Sequence, residues 1–147
     1  MDYSLAAGYL DAGAMGLMLP RVEEVSDTEG LVSFMKYPPV GVRGLSSDAP
    51  RSDYNFGDLG EFIRIKNEDT LAIAQIERRT AVDNLEKIIS VPGIDVALIG
   101  PEDLSLSYGL PGQTNHPTVV EAIQKVIDIS IEAGVAPGIH MGSIERL

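Results

Sequence analysis

Residues 71–103 read LAIAQIERRTAVDNLEKIISVPGIDVALIGPED, and this stretch decides the fold. It contains two short, continuous apolar runs, Leu71 to Ile76 and Ile94 to Ile99, of the kind found in buried parallel strands. Between them, apolar residues recur at three- and four-residue steps, which predicts a helix with Thr80 as its N-cap. A strand, a helix and a second strand in this order indicate a right-handed βαβ unit.

The same alternation continues in both directions along the chain. Two further apolar runs, Ala14 to Leu19 and Pro137 to Met141, are predicted to be strands. The clearest remaining helix starts at Pro117 and ends before Gly134. Weaker helical patterns lie between Glu24 and Lys36, from Leu59 to Ile65, and from Leu5 to Leu10, where Gly8 intervenes. The sequence therefore predicts an α/β fold with a parallel sheet of four strands.

The stretch from Tyr37 to Asp58 breaks this pattern. It is rich in Pro, Gly, Ser and Asp, which predicts a long irregular loop. Long loops in compact domains are commonly functional. Arg43 lies in this loop between two glycines, and we expect it to fix the loop rather than to act on a substrate.

The composition excludes several classes of function. The formal net charge of −11 repels phosphate backbones, which argues against nucleic-acid binding. The absence of cysteine excludes disulfides and thiolate metal sites. No apolar run approaches the roughly 20 residues that span a membrane, and the N-terminus lacks the basic stretch of a secretory signal. We therefore expect a cytoplasmic protein without a membrane or nucleic-acid partner.

Two acidic residues follow neighbouring strands of the predicted sheet. Glu77 ends the strand that starts at Leu71, and Asp103 follows Ile99 by four residues. Both should project at the carboxyl edge of the sheet, where ligands bind in parallel α/β folds. Two carboxylates there would suit Mg²⁺ or Mn²⁺. The alternative is that the acids only cap local turns, and Glu102 is a competing ligand with a longer side chain.

Gly100 and Pro101 also permit two interpretations. A glycine at a strand end lets a ligand approach the backbone, and the amides that follow can bind a carboxylate. A tight turn is the alternative, and the residues alone favour it. The histidines are less informative, because His116 precedes a helix and is expected to be exposed, while His140 in the last strand is better explained as a packed residue than as a base. All lysines fall in predicted helices or loops, so a Schiff-base lysine is not expected.

A series of short motifs runs along the chain in a fixed order. They are LDAGA at residues 10–14, LP at 19–20, KYPPVGVRG at 36–44, QIE at 75–77, DNL at 83–85, PGID at 92–95, IGPEDLS at 99–105 and NHP at 115–117. Together they resemble the HpcH/HpaI family of metal-dependent pyruvate aldolases. The resemblance implies a (β/α) TIM-barrel fold of the phosphoenolpyruvate/pyruvate type, with Mg²⁺ or Mn²⁺ as cofactor and Co²⁺ as a further candidate.

The resemblance also implies roles for particular residues. By motif, Glu77 and Asp103 would be the two metal ligands, as their position at the strand ends already suggests. The substrate would be bound by Gln75, by the backbone around Gly100, Pro101 and Glu102, and by Asp11 reaching a neighbouring subunit's site. The substrates would be pyruvate and an aldehyde, joined into or released from a 4-hydroxy-2-oxo acid through the pyruvate enolate.

The chain departs from the family in its number of strands. The four predicted strands would correspond to the fourth to seventh of a family barrel, so we expect one partial barrel domain over residues 1–147. The family's catalytic histidine and pyruvate-binding arginine belong to its second and third strands, and no residue of this chain is assigned to either role. An open sheet leaves two edges that invite pairing, and the family oligomerises, so a homo-oligomer is expected.

Three functions remain open after the resemblance. The leading one is a class II pyruvate aldolase that acts on 4-hydroxy-2-oxo acids. A citrate-lyase-type carbon–carbon lyase acting on a thioester is the second, although the YPP and QIE motifs favour the aldolase. The third is a metal- or 2-oxo-acid-binding fragment without turnover, since the catalytic histidine and arginine have no counterpart here.

Overall fold

The computed structural model describes residues 2–46, 50, 54 and 57–142. They contain one parallel four-stranded sheet in which the strands pair in chain order. The strands are β1 (Gly16–Leu19), β2 (Leu71–Ile76), β3 (Val96–Ile99) and β4 (Ala136–Ile139). The predicted parallel α/β sheet is confirmed.

Seven α-helices lie in this described part of the chain. They are α1 (Tyr3–Asp11), α2 (Val25–Met35), α3 (Leu59–Asp69), α4 (Arg79–Asp83), α5 (Leu85–Ile89), α6 (Pro101–Ser107) and α7 (Pro117–Glu132). Among the described residues, no helix combines the length and the apolar character needed to cross a bilayer. Between Tyr37 and Asp58, the described residues form no α-helix or strand, as the sequence predicts.

One face of the sheet is covered by helices and the other is open in the described part of the chain. Along β2, Ala72, Ala74 and Ile76 are fully buried against the helices. The alternating residues Ile73 and Gln75 point to the opposite face and are only half-buried. The strands are therefore buried on one face, although their continuous apolar character is typical of strands buried on both.

The predicted strands are right in number but differ at their ends. The strand β2 has the predicted bounds, whereas β1 and β3 begin two residues later than their apolar runs, and β4 spans Ala136–Ile139 instead of Pro137 to Met141. The pairing of neighbouring strands accounts for where β1, β2 and β3 start. Gly16, the first residue of β1, pairs with Leu71, the first residue of β2, and Val96, the first residue of β3, pairs with Ile73.

The helix predicted from Thr80 is divided into α4 and α5, and the predicted cap is wrong. Arg78 occupies the N-cap position of α4, and Asn84, with φ −100° and ψ 7°, separates the two helices. The Thr80 hydroxyl instead donates a hydrogen bond of 2.6 Å to Oε2 of Glu23. The Thr80 side chain, which the local sequence pattern predicted to cap the helix, is thus hydrogen-bonded to a carboxylate 57 residues away.

Two helix starts have local causes that the sequence contains. Pro101 occupies the first turn of α6, which is a full helix where the sequence indicated only a turn. His116 precedes α7, and its Nδ1 accepts a hydrogen bond from the backbone N–H of Thr118 at 3.3 Å. His116 is half-buried, whereas the sequence predicted that it would be exposed.

A buried lysine holds the amino edge of the sheet together. Lys36 is 3% exposed, and its ammonium group donates to the backbone carbonyls of Asn67, at 2.7 Å, and Thr70, at 2.5 Å. Its Nζ lies 3.8 Å from Oδ2 of Asp95, which also accepts the backbone N–H of Ala72 at 2.8 Å. This network fastens the ends of α2 and α3 to the starts of β2 and β3, far from the carboxyl edge.

Candidate metal centre

Glu77 is a buried carboxylate directly after the last residue of β2. It is 4% exposed, and its Oε1 accepts the backbone N–H of Arg21 at 2.8 Å. Arg21 follows the end of β1 and has a left-handed backbone conformation, with φ 56°. Such a conformation is uncommon for a residue other than glycine. The loop after β1 thereby fixes one oxygen of Glu77 at the carboxyl edge.

Gly100 closes the other side of this carboxylate. A Cβ atom at position 100 would lie 3.0 Å from Oε2 of Glu77 and 3.1 Å from Nε2 of Gln75. The backbone N–H of Gly100 donates to the carbonyl of Ile76 at 3.2 Å, which places the end of β3 against the end of β2. The absence of a side chain at Gly100 therefore leaves room for Glu77 and Gln75.

Asp103 completes the group of predicted site residues that the structure brings together. It lies in the first turn of α6, which starts immediately after β3, and its side chain is exposed. Gln75, Glu77 and Asp103 line one open cavity of about 600 Å³, together with Pro20, Arg21, Arg78, Leu106 and Ser107. The carboxyl ends of β1, β2 and β3 thus surround one space.

Glu102 lies on a different side of α6. It lines a separate cavity of about 440 Å³ that also contains Pro101, Asn115 and His140. The side chain of His140 is exposed, and its backbone N–H donates to the carbonyl of Ile99 at 3.0 Å. The structure therefore does not bring the side chains of Glu102 or His140 into the cavity of Glu77 and Asp103.

Asp11 lies at the opposite edge of the sheet. It ends α1, ahead of β1, and its Oδ1 forms an ion pair with Nη2 of Arg43 at 2.5 Å. Arg43 is 2% exposed, and its guanidinium lies 4.8 Å from the centre of the Tyr37 ring. These contacts agree with the interpretation that Arg43 fixes the loop, and within one chain Asp11 does not reach the cavity of Glu77.

Sequence reasoning did not identify three charged residues at or next to this cavity, namely Arg21, Glu23 and Arg78. Nε of Arg78 donates to Oε1 of Glu23 at 2.7 Å, and Thr80 donates to the other Glu23 oxygen. The hydrogen bonds from Thr80 and Arg78 lower the pKa of the Glu23 carboxyl, and the charge of Arg21 adds a smaller effect in the same direction. The positions of Arg21 and Arg78 in the sequence could have identified them as site residues, because both follow the carboxyl end of a predicted strand.

The oxygen atoms of this cavity fit a hard divalent cation. Two carboxylates and one amide oxygen are ligands that Mg²⁺ and Mn²⁺ prefer, and such ions complete their coordination with water or substrate. Among the described residues, no group of three or more His, Cys, Asp or Glu side chains is arranged to hold a metal. A metal here would therefore be held by two carboxylates, as predicted, and not by a closed protein cage.

Substitution of Gly100 by alanine is expected to weaken Mn²⁺ binding by about tenfold without unfolding the chain, since partners of metal ligands typically contribute this much. The added Cβ would have to displace Oε2 of Glu77 or Nε2 of Gln75 by a few tenths of an ångström. Titration with Mn²⁺, followed by the paramagnetic relaxation of water protons, measures the change. Gly30→Ala in α2 is the matched control, because a Cβ there meets no atom within 4 Å; equal affinities in the two variants would contradict the prediction.

Comparison with known proteins supports a single family. A model of the HpcH/HpaI aldolase/citrate lyase family matches residues 2–143. The chain is 38% identical over 134 residues to 4-hydroxy-2-oxo-heptane-1,7-dioate aldolase of Salmonella typhimurium, covering 91% of this chain and 51% of that protein. The chain spans about half the length of the curated relatives it matches.

Solved structures give the same result for the fold. An HpcH/HpaI aldolase from Desulfitobacterium hafniense matches 99% of this chain and 56% of its own, with a TM-score of 0.94 and 33% identity. A citrate synthase, SbnG, matches 96% of this chain and 53% of its own, with a TM-score of 0.84 and 28% identity. The four-stranded unit is therefore similar to part of a longer α/β fold.

Proposed function

This chain belongs to the HpcH/HpaI aldolase/citrate lyase family, and on that premise we propose that it carries the metal- and pyruvate-binding part of a class II aldolase. The motif resemblance and the partial barrel fold predicted from the sequence agree with this membership. The proposed reaction forms or cleaves the carbon–carbon bond of a 4-hydroxy-2-oxo acid. The observation that carries the proposal is the meeting of Glu77, Asp103 and Gln75 in one cavity.

The proposed metal ligands are Glu77 and Asp103. Glu77 would offer Oε2, because its Oε1 already accepts the Arg21 N–H. Asp103 is exposed in the first turn of α6, where its side chain can adjust to an ion. When bound, a divalent ion would draw electron density from the keto oxygen of pyruvate and lower the cost of the negative charge that develops there as the enolate forms.

The residues around the proposed ion would bind and orient pyruvate. First-turn N–H groups of an α-helix have no acceptor within the helix, so those of Glu102 and Asp103 can donate to the pyruvate carboxylate. Gly100 has no side chain, which leaves room for Glu77 and Gln75 beside that carboxylate. The Gln75 amide, 3.1 Å from the Cβ position of residue 100, can donate to a substrate oxygen or to a water.

The acceptor of the methyl proton is not assigned to a residue of this chain. His140, the histidine nearest in the sheet, lines the other cavity. The strands β1 and β4 each have only one pairing partner in the described part of the chain, and the half-buried face of the sheet is apolar apart from Gln75. Unpaired edges and such a face favour association, and we propose that the working form is a homo-oligomer.

Exchange of the pyruvate methyl protons in D₂O tests this function, because it requires the metal site and a proton acceptor, which a buffer base can supply, but not the unidentified aldehyde. We expect the methyl signal in ¹H NMR to decay in the presence of the chain and Mn²⁺, to persist with EDTA, and to persist with Asp103→Asn. The Asn side chain keeps the size of Asp103 but loses its charge. Mn²⁺ binding without any exchange would overturn the aldolase proposal and support a fragment that only binds the metal and the 2-oxo acid.

A carbon–carbon lyase of the citrate-lyase type is the second candidate. Two observations favour it: the family model covers both activities, and the citrate synthase SbnG has the same fold at 28% identity. The higher identity of 38% to 4-hydroxy-2-oxo-heptane-1,7-dioate aldolase supports the aldolase instead. Cleavage of a 4-hydroxy-2-oxo acid but not of a citryl thioester would separate the two.

A further inference from the structure

Two arginines lie beside the cavity of Glu77 and Asp103, and the side chain of neither has a role in the function proposed so far. We propose that Arg21 and Arg78 form a second anion-binding subsite that takes the distal carboxylate of a dicarboxylic 2-oxo acid, with Arg21 as its principal donor. The inference rests on the proposed function, because it assumes that the 2-oxo acid end of the substrate lies at Glu77 and Asp103.

The backbone of Arg21 is fixed at the site. Its N–H donates to Glu77 at 2.8 Å, and its φ of 56° turns that N–H toward the carboxylate. In the described part of the chain, the Arg21 guanidinium has no hydrogen bond or ion pair, although it lines the cavity and is exposed. The Arg21 guanidinium, which has five N–H donors, therefore lies next to the proposed metal ligand Glu77 and is available to bind an anion.

The Arg78 side chain is held in place by one hydrogen bond, which its Nε donates. That bond, of 2.7 Å, goes to Glu23, whose second oxygen accepts the Thr80 hydroxyl at 2.6 Å. The backbone carbonyl of Glu23 accepts Nδ2 of Asn84 at 3.1 Å, so the loop after β1 is fastened to the α4–α5 segment. Among the described residues, the terminal nitrogens of Arg78 have no acceptor, and they remain available to a ligand.

Charge also favours a second anion at this place. Glu77 and Asp103 would be balanced by a divalent ion, and Glu23 is balanced by Arg78. Arg21 then forms no ion pair among the described residues, and its charge acts only at longer range on Glu23. An anion bound there would be attracted by Arg21 and, more weakly, by Arg78, whose charge is already paired with Glu23.

The strand order sets the spacing between the two ends of such a substrate. Arg21 follows β1, Glu77 and Arg78 follow β2, and Gly100 follows β3, so Arg21 and the proposed pyruvate carboxylate site lie on opposite sides of Glu77. Neighbouring strands are about 4.8 Å apart, which separates the ends of β1 and β3 by about 10 Å. With the reach of a guanidinium, this span suits two carboxylates joined by a chain of several carbons.

The test compares two ligands that differ only in the distal charge. Binding of 2-oxoadipate and of its 6-amide to the Mn²⁺-loaded chain is measured by isothermal titration calorimetry. We expect 2-oxoadipate to bind about fivefold more tightly than the amide, as one partly exposed charged pair contributes. The preference should disappear in Arg21→Gln and survive in part in Arg21→Lys, which keeps the charge but loses the fork.

Arg79→Gln is the matched control. Arg79 lies outside the cavity, 3.8 Å from Asp83 and over the Tyr108 ring, so its loss should leave the fivefold preference unchanged. An equal affinity of the wild-type chain for both ligands, or a preference that persists in Arg21→Gln, would overturn the arginine subsite alone. If neither ligand bound in a Mn²⁺-dependent manner, the proposed function would fall as well.

Discussion

The affinity of this chain for Mn²⁺ is expected to fall by about 100-fold when Glu77 is replaced by glutamine, because even partners of metal ligands contribute 10- to 100-fold. Glutamine has the shape of glutamate, and its amide oxygen can still accept the Arg21 N–H that fixes Oε1 at 2.8 Å. The fold is therefore retained, while the negative charge facing the cavity is lost. Titration followed by water-proton relaxation measures the affinity, and circular dichroism verifies the fold.

Two control variants make the Glu77 result specific. Glu121→Gln removes the same charge from the exposed face of α7, and His116→Ala removes a helix cap far from the cavity. Both should leave the Mn²⁺ affinity within about twofold of the wild-type value, since effects of distant sites are largely independent. An unchanged affinity in Glu77→Gln, or an equal loss in His116→Ala, would show that the metal is bound elsewhere.

Replacement of Lys36 by methionine should lower the free energy of unfolding by about 2–4 kcal/mol, because hydrogen bonds to a buried charged group contribute roughly 1.5–3 kcal/mol each. Methionine keeps most of the volume, but the carbonyls of Asn67 and Thr70 lose their donor. The ion pair with Asp95, whose side chain is 32% exposed, adds little to this figure because water screens it. In thermal unfolding, the melting temperature should decrease by about 5–10 °C.

Lys125→Met in α7 is the control for this loss. Lys125 is exposed, and its substitution should change the stability by less than about 0.5 kcal/mol. Since Lys36 lies at the amino edge of the sheet, the Mn²⁺ affinity of folded Lys36→Met should remain that of the wild type. A melting temperature equal to that of Lys125→Met would contradict the structural role of Lys36.

The parts of the fold that could be predicted are those that a local pattern determines. The apolar run of β2 predicted its bounds, and the apolar stripe between Pro117 and Gly134 predicted α7, which ends two residues before Gly134, a glycine with φ 73°. The position of Glu77 after a strand was enough to place it at the carboxyl edge. In each case, the residues that decide the structure are neighbours in the sequence.

The parts that could not be predicted depend on distant partners. Thr80 has a good capping pattern, but Glu23, which is 57 residues away, binds its hydroxyl. Asp103 and Glu102 are adjacent, and only the start of α6 at Pro101 decides which of them faces Glu77. Arg21 was not identified as a site residue because its contact with Glu77 spans 56 positions and uses the backbone, which carries no sequence signature.

The hydrogen bond that holds Glu77 places no demand on the side chain at position 21. Its donor is a main-chain N–H, so any residue that tolerates a left-handed backbone can keep the carboxylate in place. Evolution can therefore exchange the side chain beside the cavity while the carboxylate of the proposed metal site stays in place. Single substitutions at position 21 can therefore adapt the cavity to charged, polar or apolar substrates, while the position of the Glu77 carboxylate is unchanged.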